Sequence, residues 1–98
     1  MENSLLKKWS KALKSGKYRQ CRDVLSNHGR YCCLGVLGKV CGYKLLSPIR
    51  SEDNVLTTGF RNDVGMSSKL ESKFVNMNDE ERLDFKQIAE YIDKELIK

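Results

Sequence analysis

The sequence predicts a small single α+β domain, in which amphipathic N- and C-terminal helices pack around a short β-hairpin and a central glycine-rich helix. Two segments with apolar residues at helical spacing lie near the two ends of the chain, and a cluster of turn-forming residues lies between them. The length of 98 residues suits one modest core. We therefore expect one domain over residues 1–98, and the composition of 40% apolar and 32% charged residues is that of a globular chain.

The N-terminal helix is predicted over residues 4–15. Its apolar residues recur every three or four positions on one side, and its lysines fall on the opposite side. Gly16 follows directly, and glycine adopts the left-handed conformation that ends many helices without steric strain. The pattern is that of a surface helix with one buried side.

A β-hairpin is predicted within residues 18–31. The turn-forming cluster 26–29 lies between the apolar pair Val24-Leu25 and the pair Tyr31-Cys32. After the hairpin, apolar residues at intervals of three or four over residues 34–41 predict a short buried helix that Gly42 ends. Three glycines would lie along one side of this helix, where another backbone can come close: Gly35, Gly38 and Gly42.

Residues 45–66 have the least regular pattern and predict a loop with one short strand at 54–57. Ser67-Ser68 is predicted to cap a short helix over residues 69–74. The acidic run 79–81 is interpreted as the first turn of a later helix, where the helix dipole stabilises negative charge.

The C-terminal helix is predicted from Phe85 onward, because an apolar stripe recurs at helical spacing as far as Leu96. Asp84 and Gln87 have the spacing of a capping box, and Asn78 is an alternative, earlier cap. No segment approaches the roughly 18 apolar residues of a membrane span, and the first ten residues lack the apolar stretch of a signal peptide. We expect a cytoplasmic protein with free thiols and no membrane partner.

A cysteine cluster gives two chemical alternatives to a purely structural role. The candidate ligands for a metal ion are Cys21, His28, Cys32 and Cys41, but they lack the paired C-x2-C spacing of familiar zinc sites. A small enzyme would use Cys32 or Cys33 as nucleophile with His28 as base. Free cysteine is among the most buried residue types, so we expect a structural role, no cofactor, and neither a catalytic nor a metal site.

The basic first half of the chain is the main functional feature. Residues 1–50 contain eleven Lys and Arg against two acidic residues, a net charge of +9, whereas residues 51–98 have a net charge of −4. Such asymmetry attracts phosphates or acidic protein surfaces over long range. We define the predicted basic face as Lys7, Lys8, Lys11, Lys14, Lys17, Arg19, Arg22 and Arg30, with Tyr18 and Tyr31 as candidate rings for base stacking.

Several segments together resemble a family of small bacteriophage and prophage proteins. The most specific segment is the run Tyr-Cys-Cys-Leu-Gly-Val-Leu at residues 31–37, and the others lie at residues 9–18, 77–79 and 85–92. In that family a further Cys and an Asp often follow the central run, where Gly38 and Lys39 stand here. This difference weakens the interpretation as a metal site.

The resemblance implies an accessory protein that acts by binding a host macromolecule. We expect a non-enzymatic, anti-defence inhibitor of the anti-CRISPR kind, which meets a host protein or nucleoprotein complex through the basic face in the host cell cytoplasm. A nucleic-acid-binding regulator is the alternative, and a signalling nucleotide is a further ligand that the same charges would attract. The Cys/His enzyme and the zinc-stabilised module remain open, as does a homodimer formed head to tail or through the glycine-lined helix.

Overall fold

A computed structural model describes residues 1–23, 26–42 and 58–98. The N-terminal helix α1 (Asn3–Lys14) buries Leu6, Trp9 and Leu13 and leaves its lysines exposed. Gly16 follows with a φ of +76°, the left-handed conformation expected of a glycine that ends a helix. The predicted amphipathic helix and its end are confirmed.

Within the described part of the chain, the sheet has three strands of two residues each: β1 (Arg19–Gln20), β2 (Ser26–Asn27) and β3 (Arg30–Tyr31). β2 and β3 form the predicted hairpin, and β1 pairs in parallel with the other side of β3. His28 and Gly29 turn the hairpin with φ values of +49° and +81°. Two residues at positive φ make a tight turn that matches the twist of the strands. The first half of the cluster 26–29 is therefore strand rather than turn, and Val24-Leu25 lies outside the described residues.

The central helix α2 (Cys33–Val40) confirms the short buried helix predicted over residues 34–41. Cys32 caps it through its sulfur, which accepts from the backbone N–H of Gly35 at 3.4 Å. Gly35 and Gly38 are buried within the chain's own interior, whereas Gly42 follows the helix and is exposed. The three glycines thus do not form one free side, and a second copy could not pack on Gly35 or Gly38.

The second half of the chain is more helical than predicted. Helix α3 (Thr58–Val64) lies in the stretch predicted as loop, and the short strand expected at 54–57 falls outside the described residues. The prediction for 58–64 was wrong because Phe60 and Val64, four residues apart, bury their side chains against the core. Helix α4 (Ser68–Val75) begins as predicted, since the hydroxyl of Ser67 accepts from the backbone N–H of Leu70 at 3.1 Å.

Helix α4 continues into a π-helical turn (Asn76–Glu80), so the acidic run 79–81 lies at the end of a helix and not in a first turn. Asn78 is likewise buried inside this turn and caps nothing there, which corrects the alternative assigned to it. Helix α5 (Phe85–Tyr91) begins with the predicted capping box of Asp84 and Gln87. It continues into a second π-helical turn (Ile92–Leu96).

The core joins the two halves of the chain into a small α+β domain. Trp9 is fully buried, its ring lies 4.6 Å from that of Phe74, and its indole N–H donates to the carbonyl of Cys33 at 2.9 Å. Helix α1 packs along α5, and the side-chain amide of Asn3 pairs with both backbone groups of Lys98 at 2.8 and 3.2 Å. A membrane-spanning length of apolar residues is found in none of the helices that the structure describes.

Candidate basic binding surface

Helix α1 carries one row of the basic face. Lys7, Lys11 and Lys14 are spaced four and three residues apart, which places them in one stripe, and each is exposed. Lys8 lies on the neighbouring side of the helix, close enough to Cys41 for its charge to act on that thiol. Helical periodicity thus puts three of the predicted residues together, as the sequence indicated.

The sheet carries the second row. Arg19 in β1 lies directly opposite Arg30 in β3, and both are exposed. Residues in register on adjacent strands point to the same face of a sheet, so the two guanidinium groups share one side. Lys17 is also exposed, in the connection between α1 and β1. Two arginines eleven positions apart in sequence are brought side by side by strand pairing.

Arg22 has a different role from the other predicted basic residues. It is partly buried, its Nε donates to the carbonyl of Asn78 at 3.0 Å, and its Nη2 donates to the carbonyl of Arg82 at 3.3 Å. Both contacts cross from the sheet region to the segment after α4. Arg22 therefore holds the fold together, and we remove it from the candidate contact surface.

Lys14 is engaged by an acidic residue of the C-terminal segment. Its Nζ lies 2.6 Å from Oδ2 of Asp93, and Oδ1 of the same carboxylate accepts from the buried hydroxyl of Ser10 at 2.6 Å. The hydrogen bonds from Lys14 and then Ser10 lower the pKa of Asp93. The positive stripe on α1 is partly neutralised at this end.

The two tyrosines do not form a stacking platform. The Tyr18 and Tyr31 rings lie 5.8 Å apart and almost perpendicular, at 83°, and both residues are partly buried. Nζ of Lys39 lies 5.9 Å from the centre of the Tyr31 ring. The predicted basic face did not include Lys39. It is the one charged residue in the otherwise apolar α2 segment, and a lone lysine in such a segment indicates an exposed position.

The cysteines and His28 are the second group of candidate site residues. Among residues 1–23, 26–42 and 58–98, no three His, Cys, Asp or Glu side chains are arranged to hold a metal ion, and this includes the candidate ligands Cys21, His28, Cys32 and Cys41. Burial, and secondarily the charge of Asp79, raises the pKa of Cys21 to about 11. Burial raises the pKa of Cys32 to about 12, and it raises those of Cys33 and Cys41 as well. All four thiols are protonated near neutral pH.

Alkylation with iodoacetamide near neutral pH is expected to be slow at all four cysteines, because only the thiolate reacts. We expect Cys21 and Cys41, which are partly exposed, to be labelled first, and the buried Cys32 and Cys33 to be labelled only after unfolding. Peptide mass spectrometry of native and urea-treated protein measures the order. Rapid labelling of Cys32 or Cys33 in the native protein would contradict this description.

Asn78 holds β1 and the start of α2 in place beneath the arginines of the sheet. Its Oδ1 accepts from the side chain of Gln20 at 2.8 Å and from the N–H of Cys33 at 3.2 Å, and its Nδ2 donates to the carbonyl of Cys21 at 2.9 Å. Nδ2 also donates to Asp79, whose Oδ1 accepts from the backbone N–H of Asp23 at 3.0 Å. Sequence reasoning missed this role because the partners are distant along the chain.

A family model described as a domain of unknown function, DUF8296, matches residues 1–44, which is just under half of the chain. The matched segment contains α1, the sheet and α2, and with them all of the predicted basic face. No curated protein and no solved structure matches the chain.

Proposed function

We propose that this protein is a phage-type accessory protein that acts by binding in the host cytoplasm. It docks on an acidic surface of a host protein or nucleoprotein complex. Docking inhibits that target, which gives the protein an anti-defence role. The observation that carries the proposal is the group of exposed cations on α1 and on the sheet, in a half-chain with a net charge of +9. Positive potential over one region accelerates encounter with an acidic partner and suppresses wrong partners.

The arrangement of the rings favours a protein partner over single-stranded nucleic acid. Proteins that bind single strands offer aromatic faces on which successive bases stack, and here Tyr18 and Tyr31 contact each other edge to face. A nucleic-acid-binding regulator remains the second candidate, because the exposed lysines of α1 and arginines of the sheet would also attract phosphates.

A non-enzymatic function agrees with the state of the thiols. A cysteine nucleophile needs a lowered pKa or a base within hydrogen-bond reach. The pKa values of Cys32 and Cys33 are raised by burial, and His28 lies in the exposed hairpin turn. These features support binding as the activity.

The test compares two variants with equal loss of charge. Lys7→Gln with Lys11→Gln removes two cations from the α1 stripe, and Lys69→Gln with Lys86→Gln removes two exposed cations from the second half. The host target is first captured from lysate with the wild-type protein, and its association rate is then measured with purified components. We expect the first variant to associate about tenfold more slowly and the second to resemble the wild type.

Equal association rates for the two variants would contradict the assignment of the contact surface. The nucleic-acid alternative is tested separately, with purified protein and a labelled DNA duplex or single strand across a salt series. Tight binding to DNA alone that weakens steeply with salt would favour the regulator over the inhibitor.

A further inference from the structure

An acidic side chain lies in the basic wall of the groove between α1 and the C-terminal segment. The groove is lined by Lys7, Lys11, Lys14 and Ser10, and Asp93 enters it from the second π-helical turn. One oxygen of the Asp93 carboxylate contacts the Lys14 ammonium and the other contacts the Ser10 hydroxyl, each at 2.6 Å. Two different donors thus hold both oxygens of one anion, at the short distances typical of charge-assisted hydrogen bonds.

We propose that Ser10 and Lys14, flanked by Lys7 and Lys11, form a carboxylate-binding site that the chain fills with its own Asp93, and that a carboxylate of an acidic partner protein takes this place on docking. The inference rests on the proposed function and deepens it, because it names the point on the basic surface where the partner's charge is bound. Asp93 acts in the free protein as an internal competitor.

The internal contact is weak enough to be displaced. Lys14 and Asp93 keep 49% and 36% of their side-chain surface exposed, and ion pairs at such positions contribute little because water and salt screen them. The buried Ser10 hydroxyl also has a second acceptor, the carbonyl of Ala89 at 3.5 Å. Departure of Asp93 therefore leaves this hydroxyl with a hydrogen-bond partner in reach.

Asp93 lies in a π-helical turn at the end of α5. Residues 92–96 form a π-helical turn next to the C-terminus, whereas the preceding α5 is an ordinary α-helix. Single π-helical turns occur frequently at functional sites. Asp93 lies in this turn, and its carboxylate contacts Ser10 and Lys14 of α1.

The test compares a variant that lacks the Asp93 carboxylate with a control variant of the same net charge. Asp93→Asn and Glu95→Gln each remove one negative charge from the same turn, but only Asp93 contacts the α1 stripe. Binding of a fluorescein-labelled poly-glutamate peptide is measured by fluorescence anisotropy at low ionic strength. We expect Asp93→Asn to bind about two- to fivefold more tightly than Glu95→Gln. Equal affinities would overturn the carboxylate site.

A second comparison uses Lys14. In the wild-type background Lys14→Gln should change peptide affinity little, because Asp93 already engages this ammonium. In the Asp93→Asn background the same substitution should abolish the gain. Equal losses in both backgrounds would overturn the proposed competition. Asp93→Ala repeats the comparison without an amide oxygen that could still accept from Lys14, and circular dichroism confirms that each variant is folded.

Failure of this proposal and failure of the proposed function give different results. If Lys7→Gln with Lys11→Gln weakens peptide binding while Asp93→Asn and Glu95→Gln behave alike, the basic surface stands and only the carboxylate site falls. If the double lysine variant binds the peptide and the host target as the wild type does, or if none of the proteins binds the peptide, the proposed function itself is contradicted.

Discussion

Replacing Asn78 with alanine is expected to lower the free energy of unfolding by about 3 kcal/mol. Asn78 is 1% exposed, and its amide uses its oxygen twice as an acceptor and its nitrogen twice as a donor. Truncation removes these contacts together and leaves the buried N–H of Cys33 without this acceptor. A buried polar group that loses its partner destabilises the fold more than the hydrogen bond itself stabilised it.

Urea denaturation followed by circular dichroism measures this effect, and Asn76→Ala is the matched control. Asn76 lies two residues earlier, is exposed, and donates to the carboxylate of Glu81 at 3.0 Å. Its replacement should change the free energy of unfolding by less than about 0.5 kcal/mol, as is usual for surface substitutions. Similar losses for the two alanine variants would show that the buried amide does not hold the sheet in place.

Replacing Trp9 with alanine is expected to destabilise the protein by about 3 to 5 kcal/mol. The side chain is fully buried against Phe74, and its removal leaves a large cavity between α1, α2 and α4. Small domains have a total stability of about 5 to 15 kcal/mol, so a substantial fraction of this variant could be unfolded at ambient temperature.

Trp9→Phe separates the two contributions of this residue. It retains an aromatic ring but loses the N–H that donates to the carbonyl of Cys33. We expect about half the destabilisation of the alanine variant, measured by circular dichroism because the chain's single tryptophan is lost in both. If the two variants unfold alike, the N–H and the ring atoms that phenylalanine lacks contribute more than the aromatic ring that it keeps.

These two residues matter for function because each supports one row of the proposed contact surface. Trp9 fixes the rotation of α1 about its axis and thereby keeps Lys7 and Lys11 exposed on its outer side. Asn78 ties Gln20 and Cys21 to the end of α4, which positions the strand that carries Arg19. The two supports meet at Cys33, because Trp9 donates to its carbonyl and Asn78 accepts from its backbone N–H, so both rows depend on the start of α2.

Local signals in the sequence predicted correctly those features that depend on the residues of a single helix. Apolar residues at helical spacing predicted α1, α2 and α5, and Gly16 and Gly42 ended the first two as expected. Asp84 with Gln87 and Ser67 were identified as caps because a capping side chain acts on backbone groups two or three residues away. The exposure of the lysine stripe followed from the same periodicity.

Local signals failed where a distant residue decided the outcome. Asp79 looked like part of a helix start, yet its carboxylate accepts from the N–H of Asp23, which lies 56 residues away along the chain. Arg22 looked like a surface cation, yet it donates to the carbonyls of Asn78 and Arg82. In each of these contacts the two residues are more than fifty positions apart along the chain. No pattern of neighbouring residues could therefore have indicated either contact.

The amino-acid sequence by itself determined the α+β class, the helices at both ends and the concentration of positive charge in the first half, because helical periodicity, caps and charge are properties of neighbouring residues. Only the tertiary structure decided that Arg19 stands beside Arg30, that Asn78 organises the sheet, and that Asp93 enters the lysine stripe. Those contacts depend on how the core brings separate segments together, and packing of that kind is a property of the whole chain.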